Sequence, residues 1–134
     1  MFIIGIDPGI TTGMACYDST LNEVPFWFES TDVIEVTYHV IRINRERSIE
    51  RVVIEDFIGN GMRNPIIVHT IKVLGALEAL IRILDLDYTI RPPQYRKAFI
   101  DGAINLAGYG AHYIDALAHA MAEAHRIRLE VERV

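Results

Sequence analysis

The sequence predicts an α/β domain: a central mixed sheet of five strands, three antiparallel and then two parallel, flanked by helices. Three observations predict it. The first thirty residues hold three short apolar or aromatic runs separated by turn residues. A capped amphipathic stretch then divides the third run from a fourth, Val52-Val53-Ile54, apolar enough for burial on both faces. The chain closes in an alanine-rich stretch with helical spacing. At 134 residues, 51% hydrophobic and 23% charged, it is too apolar for disorder, and residues 1–134 are expected to form one domain with a real core.

Residues 2–7 form a compact apolar run ended by Pro8-Gly9, and a strand resumes over 13–18 after the Thr11-Thr12 turn. Residues 25–29, rich in aromatic side chains, make a third strand. Thr31 or Asp32 caps a helix running to about residue 47, with Val33, Val36, Val40 and Ile43 on one face. Residues 51–55 are the fourth strand. Pro65 opens a long helix to about residue 84, and 87–91 is a last short strand before Pro92-Pro93. The final helix spans 111 to about 130. No element is assigned between 92 and 110. A helix between the third and fourth strands lets the fourth lie parallel to the first by a right-handed crossover. Both strands then present their carboxyl ends at one edge, and Asp7 and Glu55 occupy those ends.

A lone cysteine, Cys16, makes no internal disulfide, and no Cys/His spacing resembles a structural zinc site. The apolar start reaches Asp7 too soon for a signal peptide, and no apolar run is long enough to cross a membrane. A cytoplasmic protein is expected. The net charge of −5 argues against a protein that coats nucleic acid, yet not against a nuclease, whose acidic centre is neutralised by bound divalent ions. Eleven of the thirteen basic residues are Arg, the side chain suited to bidentate phosphate contacts.

Asp7 stands at a strand end beside glycine backbone that lets a ligand approach closely, or it simply caps the turn. Glu55 ends an apolar strand, where a carboxylate is rarely buried without a metal or a cation. Asp56 points to the opposite face, because strand side chains alternate. On the last helix His112, Asp115 and His119 share a face. Asp115 reads as a third metal-binding carboxylate; His119 is either a ligand or a partly exposed helix histidine, and His125 is the latter. Such an oxygen-rich set suits magnesium or manganese better than zinc. Two such ions, held about 4 Å apart, activate water and stabilise the leaving oxygen in phosphodiester hydrolysis.

The segment Ile4-Gly5-Ile6-Asp7-Pro8-Gly9-Ile10-Thr11-Thr12-Gly13 resembles the opening of the RuvC family of Holliday junction resolvases, ribonuclease H-like endonucleases. Val53-Ile54-Glu55 resembles that family's second acidic strand, and His112-Tyr113-Ile114-Asp115-Ala116-Leu117-Ala118 its closing acidic helix. Pro93-Gln94-Tyr95-Arg96-Lys97 resembles a segment that carries a basic residue close to DNA. The resemblance implies metal ligation by Asp7, Glu55 and Asp115, with His112 as a further ligand or a proton-handling neighbour. It implies two Mg2+ ions per site, with Mn2+ able to substitute, and cuts leaving 5′-phosphate and 3′-hydroxyl ends. Lys97 is then the phosphate-facing cation, with Arg96 beside it and Thr11 and Thr12 near the substrate. Without the family, Lys97 is a solvated helix-end lysine.

The chain is shorter than the bacterial enzymes, with 99–110 trimmed, which suggests a phage-type member. The segment 57–64 is the expected junction wedge: Phe57, Ile58 and Met62 unstack bases while Arg63 meets phosphate, as in other DNA-bending proteins. Core packing is the ordinary alternative for Phe57 and Ile58. Helix 66–84 is apolar around nearly its whole circumference, more than one sheet face covers, so a homodimer through it is expected. Two other functions compete. An actin-like nucleotide-binding fold also opens on an Asp-x-Gly strand end, but it needs two domains and a second Gly-rich loop. A YqgF-like protein of the same fold, acting on RNA or as a non-catalytic nucleic-acid binder, is the closer rival. Three retained carboxylates favour the resolvase, because an acidic cluster without its ions is destabilising.

Overall fold

A computed structural model describes residues 1–56, 65–108 and 113–133. The elements are β1 (Phe2–Asp7), β2 (Thr12–Asp18), β3 (Glu23–Ser30), α1 (Val33–Glu46), β4 (Arg51–Glu55), α2 (Pro65–Ile83) and β5 (Tyr88–Arg91). A 3-10 helix (Pro93–Phe99), α3 (Ile100–Ala107) and α4 (Tyr113–Glu132) follow. The described strands form a five-stranded sheet in the order β3-β2-β1-β4-β5. β1 pairs antiparallel with β2, and β2 with β3; β4 runs parallel to both β1 and β5. The expected mixed sheet is thus the observed one. Asp32 is the cap of α1, its Oδ1 accepting a hydrogen bond from Ile34 N at 2.9 Å.

Strand alternation sorts the core into two layers. Ile4, Ile6, Met14, Cys16, Val52 and Ile54 face Val36, Val40 and Ile43 of α1 and Val73, Leu77 and Ile81 of α2. On the other side Ile3, Ala15, Tyr17 and Val53 meet the alanine-rich inner surface of α4. Asp7 is in step with Ile3, and Glu55 with Val53, so both carboxylates belong to the α4 face. Cys16 is fully buried, and burial pushes its thiol up to about 12, which suits a packing role.

Gly5 governs how close α4 comes. A Cβ there would stand 1.9 Å from the backbone oxygen of Ala116, so the helix lies against β1 only because that atom is missing. The close approach brings the first turn of α4, with Asp115, over the ends of β1 and β4.

The stretch read as trimmed holds the end of the 3-10 helix and the whole of α3. Ile100, Ala103, Ile104 and Ala107 do recur at helical spacing, and Ala103 is fully buried. Two turns interrupted by Gly102 are too short for that period to stand out. Among the described residues no helix is long and apolar enough to cross a membrane.

Candidate metal centre

Asp7 at the end of β1, Glu55 at the end of β4 and Asp115 in the first turn of α4 converge. Each offers a carboxylate oxygen, and these oxygens lie within 4.8 Å of one another. The turn after Asp7 is fastened by Thr12, whose Oγ1 accepts from Gly9 N and donates to Gly9 O, both at 3.4 Å. Three carboxylates this close do not all ionise easily. Burial, reinforced by the charge and hydrogen bond of Glu55 and by the charge of Asp115, pushes Asp7 up to about 8, against the opposing pull of Arg96. Burial also disfavours the ionised form of Glu55. The nearness of His119 and Asp7 and the charge of Arg96 outweigh it, holding Glu55 below the usual carboxylate range.

Arg96 reaches into the cluster from the 3-10 helix. Its Nη1 donates to Glu55 Oε1 at 3.0 Å and to Pro93 O at 2.7 Å. Its Nε lies 3.0 Å from Asp115 Oδ1, a charge contact without hydrogen-bond alignment. Glu55 is only 8% exposed, and its Oε2 is buried without a hydrogen bond from any described residue. An all-oxygen donor set and a carboxyl on which burial and two neighbouring carboxyls favour the proton fit a hard divalent cation.

The other sequence-predicted residues fall differently. Lys97, expected as the cation of the site, is exposed and lines a shallow groove with Pro93, Gln94, Arg96 and Ile100; the guanidinium among the carboxylates is that of Arg96. The change follows from the 3-10 helix, in which adjacent residues point about a third of a turn apart. Thr12, expected at the substrate, is 2% exposed with its hydroxyl turned to Gly9, while Thr11 is half-buried at the rim. His112, Phe57, Ile58, Met62 and Arg63 lie outside the described residues. His119 is not a partly exposed helix histidine: it is fully buried, with Nε2 3.5 Å from Glu55 Oε2.

A second buried carboxylate escaped the sequence reading. Glu123, fully buried on α4, accepts hydrogen bonds from Arg51 Nη1 (2.8 Å), Tyr95 Oη (2.9 Å) and Arg91 Nε (3.4 Å). Burial pushes this carboxyl up, but those three donors hold it below its ordinary range. It ties β4, β5 and the 3-10 helix to α4 beneath the cluster. The signal was there: Asp115, His119 and Glu123 follow one another at four-residue steps along one helix face.

No family model matches the sequence, and no curated protein does. Solved structures do match. Thermus thermophilus RuvC in complex with a Holliday junction substrate superposes with a TM-score of 0.80 at 18% identity, covering 96% of each chain. A Thermus thermophilus RuvC structure gives 0.76 at 18% identity over 97% of each chain. The fowlpox virus resolvase with Holliday junction DNA gives 0.63 at 14% identity, over 92% of this chain and 99% of the other. The likeness runs through nearly the whole of both partners, sheet and helices together. The fold of this chain is therefore that of the RuvC-like resolvases.

Proposed function

We propose that this protein is a divalent-metal-dependent endonuclease that resolves four-way DNA junctions, leaving 5′-phosphate and 3′-hydroxyl ends. The observation that carries this reading is the convergence of Asp7, Glu55 and Asp115 at the carboxyl ends of two parallel strands, on a fold that resembles junction-bound resolvases. Asp7, Glu55 and Asp115 hold the ions, two Mg2+ per site or Mn2+ in their place, and His112, three residues before Asp115, joins them as a ligand or handles the proton. Bound there, the ions supply water activation and charge stabilisation for phosphodiester hydrolysis. Arg96, already within 3.0 Å of Glu55 and of Asp115, opposes the negative charge that develops on the phosphate. Lys97, exposed one residue on, meets the DNA backbone beside it. Thr11 lies at the substrate rim, Phe57, Ile58 and Met62 wedge the junction open, and Arg63 contacts phosphate. The setting is the cytoplasm of a bacterial or phage-infected cell.

The homodimer belongs to the same reading. Val68, Ile71 and Ile83 are exposed on α2, and between them Gly75 is exposed, with nothing among the described residues within 4 Å of where its Cβ would be. A glycine inside a helix costs about 1 kcal/mol against alanine, and no described residue of the same chain gives a reason for it. Close approach of α2 from a second copy does. A two-fold dimer then sets two sites against the two-fold symmetry of a junction.

The test is cleavage of a synthetic four-way junction beside linear duplex of the same sequence and a matched RNA duplex, each with Mg2+. Preferential cutting of the junction is expected. Cutting of RNA alone, or binding without cutting, would transfer the assignment to a YqgF-like function.

A further inference from the structure

We infer that His119 is a positioning residue for the metal centre, fixing the carboxylate of Glu55 from beneath through its Nε2–H; this rests on the metal-binding reading above. The imidazole is completely buried, and neither ring nitrogen has a hydrogen-bond partner among the described residues. Burial takes such an atom from water without replacing the lost hydrogen bond, which is unfavourable unless the atom serves a partner. Packing does not require it. Most of the buried surface of α4 around it is carbon, with Ala116, Leu117, Ala120 and Ala124 among it, and the one other fully buried polar side chain there, Glu123, has three donors of its own.

Geometry gives the ring its task. Nε2 faces Glu55 Oε2 at 3.5 Å, slightly beyond a good hydrogen bond, and Oε2 is the buried oxygen with no other hydrogen bond. The second oxygen, Oε1, engages Arg96 at 3.0 Å. The two oxygens of Glu55 are thereby distinguished, one facing His119 on the helix side and one engaged by Arg96. Rotation about the last bond of a glutamate is otherwise broad. The ring is itself held: Tyr95 stacks on it, centroids 6.1 Å apart and planes 20° from parallel. Tyr95 in turn is anchored by its hydroxyl to Glu123, the acceptor that also gathers Arg51 and Arg91. Glu55 is thus oriented by its own strand and, through His119, by the buried polar cluster under α4. Partners that orient a ligand in this way typically set metal affinity by about 10–100-fold.

The experiment measures Mn2+ affinity calorimetrically for the parent protein, His119→Leu and His119→Gln, with folding checked by circular dichroism. His119→Met replaces the leucine variant should a branched side chain prevent folding. The apolar variants are expected to stay folded and to lose about 10–100-fold in affinity. The glutamine variant, whose amide N–H reaches the same oxygen, is expected to recover most of it. A folded apolar variant that binds Mn2+ as tightly as the parent overturns the inference, whatever its stability, and leaves the metal centre intact. A parent that binds no Mn2+ overturns both.

Discussion

In metal-free protein near neutral pH, Asp7 keeps its proton, because burial and two neighbouring carboxyls push it up to about 8. Its unfolded value is near the ordinary 3.8, so the folded state binds the proton more tightly. The stability this contributes is complete below about pH 4 and is lost as pH rises through 8. Glu55 and Glu123 shift the other way, and their contribution is lost only in acid, below the ordinary carboxylate range. Between pH 5 and pH 8 the large shift of Asp7 outweighs the opposite contribution of His39, whose imidazole is held below its ordinary value by burial and by Arg42 and which gains stability as pH rises. In the presence of chelator, the urea midpoint of the parent is expected to fall across that window, while Asp7→Asn gives a flatter profile. Added Mg2+ or Mn2+ should stabilise the parent more at pH 8 than at pH 5, since cation and proton compete for the same oxygens. Identical profiles for parent and variant would contradict this. Glu123 makes a separate prediction: Glu123→Ala leaves Arg51 and Arg91 facing a buried gap, at a cost of about 3 kcal/mol in denaturant unfolding. A loss within a few tenths of a kcal/mol would mean that the two arginines reach water instead.

Among the elements, the contact of β1 with α4 decides most. Gly5→Ala would place a methyl group 1.9 Å from one backbone atom of Ala116 and 2.8 Å from another, and backbone does not yield as a side-chain tip does. The expected loss is about 3 kcal/mol, with weaker Mn2+ binding because Asp115 moves with the helix. A mild loss with unchanged Mn2+ binding would show that α4 is seated by other contacts. This contact also explains what was readable beforehand. The apolar runs ending at Asp7 and Glu55, and the crossover between them, follow from local pattern and chain handedness, so two carboxylates at one sheet edge were legible. Asp115 followed from its spacing on the last helix. The burial of His119 was not legible, because it depends on how near α4 comes, which an absent Cβ settles. Nor was the choice of Arg96 over Lys97, since adjacent residues exchange roles when an assumed irregular stretch is a 3-10 helix. α3 was hidden by its two-turn length and by Gly102.

For the whole molecule, the proposed function requires two copies of the chain on one junction. Gly75→Arg adds a long cation where the described residues leave open space, so the folded chain should be untouched while a close α2–α2 contact is blocked. Sedimentation is expected to show a dimer for the parent and a monomer for the variant, which then cuts junctions without pairing its cuts. A dimeric variant would place the partner elsewhere. The central claim, that three distant carboxylates form the cutting centre, is tested most directly by one rate measurement. Four-way junction cleavage is followed for the parent, Asp7→Asn, Glu55→Gln and Asp115→Asn, each with Mn2+ and with chelator. Cutting by the parent with Mn2+ alone is expected, with at least about 1000-fold slower cutting by each variant, a loss of about 4 kcal/mol of transition-state stabilisation. Cutting that survives chelation, or that survives the loss of these carboxylates in folded protein, would contradict it.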